Sequence, residues 1–465
     1  MAPSAKRRRR RSCSRKKATH AAPEGGPDLI TDLPNELLGA IISLLPTDDG
    51  IRTRTISRRW KPLWLSAWLN LDDGDLRPWR NGDDLVELIT RILSTHPGPA
   101  RRLSITNLAR VSSTHGDDRY ATFDSWFRSP VLDRIQELNF RYLYKYRIGE
   151  LDPLPAAALR FTDLRTANYG RCHFPENLEG VSFPNLSELT LYELTNSEAT
   201  LDAMIKACPS LKSLLLMDNK GFRRVSVSSK SLVCLGLSVG KQESVMEELT
   251  ILDAPSMERL LFFNTDLGPI SVRVIGAPNL QVLGCLSSYM LNVHLGTTVL
   301  QEMIAITAIT SMHAVKILSL GADGFELDKV IDILKCFPCL EKLYFTSMVE
   351  GSGKTMLDDH GVVSIDCLDT HLKEIVLKNY RSTRAHVMFA KFFILNAGVL
   401  KLMKFRVPIE RTKNWEANQR RKLPKQTDRA SRAARFEFVF DTYFFRNYEH
   451  TYRTHELLEC DPFDG

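Results

Sequence analysis

The segments Pro184-Asn185-Leu186-Ser187-Glu188-Leu189-Thr190-Leu191 and Pro209-Ser210-Leu211-Lys212-Ser213-Leu214-Leu215-Leu216 decide the architecture of this chain. Each places apolar residues at the first, fourth and sixth positions of a unit, with a proline two residues ahead. The pattern recurs as Leu232, Leu235, Leu237, as Met257, Leu260, Phe262 and as Leu280, Leu283, Cys285. After a longer gap it returns as Val315, Leu318, Leu320 and Leu340, Leu343, Phe345. Degenerate copies precede it at Ala100-Leu103-Ile105, Ile135-Leu138-Phe140 and Leu164-Ala167-Tyr169. The units that start at 164, 186, 211, 232, 257 and 280 recur every ~21–25 residues.

A period of that length with that spacing is the signature of leucine-rich repeats. Pro184, Pro209, Pro255, Pro278 and Pro338 end the preceding segment and steer the chain into a strand. Some intervening segments read as helices, notably Leu201 to Cys208 and Leu327 to Cys336. Strand-then-helix units of this size cannot bury their apolar faces singly. Stacked, they form a curved solenoid with parallel strands on the concave side. The repeat's asparagine position is mostly missing.

Outward toward the N-terminus, residues 28–72 carry a different signal. Asp32 can cap a helix that opens at Pro34 and stops at Pro46. Leu37, Ile41 and Leu44 form one apolar stripe on it, and Leu38, Ile42 and Leu45 the next. A helix apolar around most of its circumference packs one stripe on its own neighbours and needs a partner for the other. Thr47 and Asp48 can cap a second helix, and Pro62 opens a third. Trp60, Trp64 and Trp68 fall within nine positions.

The string Asp32-Leu33-Pro34-Asn35-Glu36-Leu37-Leu38, with Ile41, Leu45-Pro46 and Ile56-Ser57-Arg58-Arg59-Trp60-Lys61-Pro62-Leu63-Trp64, resembles an F-box, in its plant form. It departs at Thr47-Asp48-Asp49-Gly50, where relatives often carry a basic residue. The resemblance implies docking onto a Skp-type adaptor of a cullin–RING ubiquitin ligase. The adaptor-facing residues it implies are Leu33, Pro34, Leu37, Leu38, Ile41 and Leu45, supported by Trp60 and Leu63. At the other end, Leu372-Lys373-Glu374-Ile375-Val376-Leu377, a helix from Ala385 to Asn396, and Leu400-x-x-Met403-x-Phe405 resemble the FBD module of plant F-box proteins. Gly398 stands where relatives tend to have a polar residue. A basic, helix-compatible stretch from Asn414 to Ala434 leads from there to an aromatic strand, Phe436 to Phe440.

The expected fold is therefore α/β: a small helical F-box domain, then an irregular leucine-rich-repeat solenoid with a C-terminal cap. The divisions are a disordered basic tail (1–27), the F-box (28–72), a linker helix (73–99), the solenoid (100–365), the FBD-like module (366–442) and a C-terminal tail (443–465). The implied role is that of substrate receptor in an SCF-type ligase, non-catalytic and without cofactor or metal, binding the adaptor, through it cullin, and an unknown target protein. A non-ligase F-box scaffold is the alternative. On the concave face the variable positions Thr190, Tyr192, Leu215, Met217, Leu261, Phe263, Tyr344, Thr346 and Lys378 are the candidates for holding the target. Leu215, Leu261 and Phe263 there are either an exposed contact surface or covered by the C-terminal segment.

The charge belongs to the tail. The chain is 465 residues long with a net charge of +7. Lys6, Arg7, Arg8, Arg9, Arg10, Arg11, Arg15, Lys16 and Lys17 supply nine of the cations, and 53 basic against 55 acidic residues remain. Lys6–Arg11 and Arg15–Lys17 read as a two-part nuclear-import signal, or as an arm with non-specific affinity for polyanions. Nucleus or cytoplasm is the expected location. The nine scattered cysteines and the polar N-terminus, followed by no apolar stretch, point to reduced thiols. The most apolar stretch, 386–405, is broken by Lys391 and Lys401 and falls short of the ~18 residues of a membrane span.

Three motifs invite chemistry and fail. Gly351-Ser352-Gly353-Lys354-Thr355 lacks the earlier glycine of a phosphate loop, where Met348 stands. Cys336-Phe337-Pro338-Cys339 has metal-ligand spacing but no second pair, and it falls at a repeat's helix end, as Cys208 does. His313 and His371 lie at repeat boundaries, and no nucleophile elbow appears.

Overall fold

The structure is a computed structural model that describes residues 30, 32–76, 82–108, 116–142, 151–238, 246–263, 270–288, 290–302, 304–307, 312–322, 327–347, 365–408, 413–440, 457–458 and 461–464. The basic tail with its nine cations and the Gly351–Thr355 motif lie outside the described residues.

Fourteen strands form one sheet that follows the chain from Leu69–Asp72 at one edge to Arg435–Phe440 at the other, every neighbouring pair parallel. The repeat register sets the ladder. Leu71, Leu103, Leu138, Ala167, Leu189, Leu214, Leu235, Leu260, Leu283, Leu318, Leu343, Ile375, Met403 and Phe436 stand side by side, one per strand. All fourteen are buried in the main core. Burying each Leu is worth about 1.5–3 kcal/mol, so the repeat spacing is itself the stabilising feature.

At Leu280 the sequence reading needs correction. The strand shifts register between Leu283 and Leu286, so Leu286, not Cys285, pairs with Leu320 and fills the sixth position's role. The repeat's asparagine position, missing from most units, is kept in one of them, as Asn219. Cys172 and Asn219 both stand there, buried. Asn219 donates to the Leu191 carbonyl (2.8 Å) and accepts from the Leu194 amide (2.9 Å), the strand-end bonding that this position exists to make.

Helices Glu198–Lys206, Leu327–Lys335 and Arg384–Asn396 cover the core face of the sheet where expected. Ser197 and Thr383 cap two of them by accepting from the amides of Thr200 and His386. Between residues 224 and 307, however, strands replace the expected helices. Arg224–Ser228, Glu248–Asp253, Ser271–Val274 and Asn292–Leu295 run parallel in a second sheet, which Thr298–Gln301 and Ile304–Thr307 extend in antiparallel fashion. Val225 and Val227, Leu249 and Ile251, Val272 and Val274, and Val293 and Leu295 point into the core, with polar residues between them. Period-two alternation of this kind makes a half-buried strand.

Two boundaries move. The first sheet strand, Leu69–Asp72, lies inside the stretch assigned to the helical domain. The helix Gly82–Thr95 is no linker, because Leu85, Ile89, Ile92 and Leu93 belong to the solenoid core. The sheet also runs through the FBD-like segment without interruption. Hydrogen bonds from neighbouring segments reach both of its edges, where a strand otherwise presents an open row of backbone groups. At the first edge, Thr47 donates to the Asn70 carbonyl, and Asn70 donates to those of Ser43 (2.7 Å) and Leu45 (3.2 Å). At the last, Arg420 of the helix Lys413–Lys422 donates to the Phe436 carbonyl (2.9 Å), while Phe438 stacks on Phe405 at 4.6 Å.

Candidate functional site

Two surfaces carry the functional reading. The first is the helical domain, built of α1 (Asn35–Ile42), α2 (Thr47–Thr53) and α3 (Trp60–Ser66). Pro34, not Asp32, occupies the cap of α1, which has no side-chain cap bond, and α1 ends three residues before Leu45. The two stripes on α1 divide cleanly. Leu38 and Ile42 join Trp60, Trp64 and Ala67 in a separate small core. Leu37, Ile41 and Leu44 stand out from it at 52%, 41% and 70% exposure, with Ile56 beside α3 at 61%. Leu38 and Trp60 therefore do not face an adaptor; they hold the domain together. Pro34 is exposed, and Leu33, Leu45 and Leu63 are partly buried at the margin. Leu44 and Ile56, absent from the sequence-based set, are the most exposed of these apolar residues. Leu44 completes the 37–41 stripe at helical spacing and was legible for that reason.

This face is held rigidly. Arg59 donates to the Asn35 side chain (2.7 Å) and to the Leu33 carbonyl, tying the turn before α3 to the start of α1. Gly50 sits where a Cβ would come within 2.8 Å of the Trp64 indole nitrogen, which accounts for the glycine in the departing Thr47–Gly50 segment. Arg52 pairs with Asp48 (2.6 Å) and Asp49 (3.3 Å) on the solvent side. His96 reaches across from the solenoid, its ring 5.0 Å from Trp64 and its Nε2 3.2 Å from the Ala67 carbonyl. Burial holds its pKa below the ordinary value despite that bond.

The second surface is the sheet face opposite the core. In register across the strands it reads Ser104, Asn139, Asn168, Thr190, Leu215, Gly236, Leu261 and Gly284, and continues through Ser319, Tyr344, Val376 and Lys404. It is polar at one end, apolar in the middle and cationic at the other. None of the nine target-facing candidates is exposed. Thr190, Leu215, Met217, Leu261 and Tyr344 are buried, and Tyr192, Phe263, Thr346 and Lys378 are partly buried. Leu215 and Leu261 are covered by the C-terminal segment. Leu457 and Phe463 form a second apolar cluster with Leu215, Met217, Leu261 and Tyr344, and Phe263 and Tyr192 pack against it. Tyr192 is further held by Arg171, whose guanidinium also pairs with Glu193 at 2.7 Å.

Charge pins this strap down. Arg259 donates to the Leu457 carbonyl (2.7 Å). Lys342 lies 3.0 Å from both Asp461 and Glu374, and the Tyr344 hydroxyl donates to Asp461 (2.9 Å). Asp464 pairs with Lys404 (3.1 Å) and Arg406 (2.9 Å). Burial pushes the Asp464 carboxyl up, but the bonds from Arg406 and Lys404 outweigh it and hold the pKa below the usual carboxylate value. Burial likewise opposes the Lys342 ammonium, and its two carboxylate partners raise the pKa nonetheless.

Of the seven cysteines among the described residues, six are buried and Cys339 is partly buried. Cys336 is buried, its thiol pushed up chiefly by burial, and Cys339 faces His313 at 3.9 Å. Cys208 is pushed up to about 12 by burial. Among the described residues no group of three or more His, Cys, Asp or Glu side chains could hold a metal ion, and no helix is long and apolar enough to cross a membrane.

The fold is that of a leucine-rich-repeat solenoid with a small helical domain at its N-terminal end, on which Leu37, Ile41 and Leu44 are exposed. Comparison with known proteins places the class. Residues 123–345 match the family model for the repeats of the FBD-associated F-box protein At5g56370, and residues 363–405 match the FBD model. Similar curated proteins of Arabidopsis thaliana include the F-box/LRR-repeat protein At3g03360, 30% identical over 54% of this chain and 51% of its own length. A putative F-box/FBD/LRR-repeat protein, At5g22610, is 27% identical over 55% and 56%, and the F-box/FBD/LRR-repeat protein At5g22660 is 28% identical over 50% and 51%. The chain spans about half the length of the curated relatives it matches. Over residues 123–345 and 363–405 it is similar to plant F-box/leucine-rich-repeat proteins that carry a C-terminal FBD module.

Proposed function

We propose that this chain is the non-catalytic substrate-receptor subunit of an SCF-type cullin–RING ubiquitin ligase. The helical domain docks a Skp-type adaptor, through it cullin, and the solenoid carries a target protein. The observation that carries this reading is the set Leu37, Ile41 and Leu44, at helical spacing, apolar and exposed beside a small core formed by Leu38, Ile42, Trp60, Trp64 and Ala67. Large apolar side chains grouped on the surface of a small domain mark a protein contact. Hydrogen bonds join the domain to the first sheet strand, so a docked adaptor would sit at a fixed orientation to the solenoid. The receptor then acts by proximity, raising the effective concentration of target lysines near the conjugating enzyme. The basic tail fits import into the nucleus, with action there or in the cytoplasm.

A pull-down with purified Skp-type adaptor tests the reading. Leu37→Asp/Leu44→Asp leaves the small core untouched and is expected to lower adaptor binding at least 100-fold, because each carboxylate must be desolvated on docking. Wild-type protein that is folded and binds no adaptor would overturn it. Adaptor binding without recovery of cullin would favour the non-ligase scaffold.

A further inference from the structure

We propose that the sheet face from Leu215 to Arg406 is a docking groove for an extended acidic peptide of the target, and that the C-terminal strap occupies it until such a peptide displaces it. Calling the peptide a target's rests on the substrate-receptor reading; the groove and its chemistry do not. The strap defines what fits. Leu457 enters the apolar centre over Gly236, where a Cβ would lie 2.8 Å from Leu215 and Phe263 and 3.4 Å from Leu457 itself. Phe463 lies 5.5 Å from the Tyr344 ring, and carboxylates on either side of Phe463 reach Lys342 on one flank and Lys404 and Arg406 on the other. The matching ligand has an aliphatic residue followed, several positions on, by an aromatic residue bracketed by acids.

Charge complementarity fixes this choice. The groove presents Arg259, Lys342, Lys404 and Arg406 around an apolar floor, although the chain outside its N-terminal tail is close to neutral. The strap is also built to leave. The Asp464 side chain is 40% exposed where it pairs. The strap holds as an intramolecular contact, at high effective concentration, and yields to a free peptide that makes the same contacts and more.

The test uses a fluorescein-labelled synthetic peptide of residues 455–465 and fluorescence anisotropy. Three proteins are compared: the full chain, a chain ending at residue 440, and the full chain with Asp461→Lys/Asp464→Lys. Both strap-weakened forms are expected to bind the peptide at least tenfold more tightly than the full chain, and a peptide carrying the same two lysines is expected not to bind. Arg406→Glu in the strap-weakened full chain is expected to abolish binding. If the shortened chain loses its circular-dichroism spectrum, the charge-reversed full chain carries the comparison. Strap-weakened protein that keeps the wild-type spectrum and binds peptide no better than the full chain would overturn the proposal. An adaptor pull-down on the same samples separates the two readings. Peptide binding without adaptor binding would sink the ligase role alone, and adaptor binding without peptide binding the groove alone.

Discussion

His386 shows how much a single buried side chain can impose. It lies at the start of the helix Arg384–Asn396, its Nδ1 accepts from the Arg381 amide at 2.7 Å, and its ring lies 5.4 Å from that of Tyr380. Burial first, and the neighbouring Arg381 charge second, lower its pKa to about 4. The unfolded chain therefore binds a proton near pH 6.5 that the folded chain refuses until about pH 4. Stability falls as pH drops through that window and is unaffected above it, by up to about 3 kcal/mol in all. In His386→Asn the side-chain oxygen can replace the Nδ1 acceptor without titrating. Thermal melts from pH 7 to pH 4 are expected to show a flatter decline in that variant; an unchanged slope would assign the decline to other groups. Nothing in the sequence marked His386, because its burial depends on partners from the preceding turn and strand. Cys336 and Cys339 were legible by contrast, since repeat position alone placed the first of them inside.

At the scale of elements, α1 separates residues that composition cannot. Leu37 and Leu38 are adjacent and chemically identical, yet one is half exposed and the other fully buried. Leu38→Ala opens a cavity in the small core and is expected to cost about 2–5 kcal/mol. Leu44→Ala removes only exposed surface and is expected to stay within about 0.5 kcal/mol. Chemical denaturation of both variants checks the pair, and equal losses would mean that the stripe is packed. Helical periodicity gave both stripes, but which one turned inward depended on α3, whose Trp60 lies about twenty residues beyond Leu38. The core rows of the sheet were legible because each strand repeats the same three positions. The second sheet was not, although its alternation is visible in Arg224-Val225-Ser226-Val227-Ser228. Four-residue strands such as Ser271–Val274 and Asn292–Leu295 carry too few periods to compete with the helix expected of that layer.

At the scale of the molecule, the strap joins residues that are far apart in sequence, and its docking should respond to pH differently from the fold beneath it. Asp464 and Asp461 face Lys404, Arg406 and Lys342, with Glu374, Tyr344 and Lys378 alongside. The folded pKa of Asp464 lies below the ordinary carboxylate value, so its contribution is complete above that ordinary value and is lost only as pH falls through the lower folded one. The pKa of Lys342 is raised above 10.5, so its contribution is complete below that value and is lost as pH rises through the higher folded one. The strap should accordingly stay docked from pH 5 to pH 10, through the range in which protonation of His386 weakens the fold. A fluorophore ligated after Gly465 reports the strap's mobility by anisotropy. At pH 5 the melting temperature is expected to be lower than at pH 7 while the anisotropy is unchanged, and the anisotropy is expected to fall only in stronger acid, as Asp464 takes up its proton. Raising salt at pH 7 should loosen the strap only partly, because the Lys342 and Arg406 side chains are 15% and 9% exposed and such pairs are screened far less than surface ones. Anisotropy that falls in step with the melting temperature between pH 7 and pH 5 would mean that the strap is part of the solenoid's cooperative fold, and a groove that opens on its own would then be ruled out.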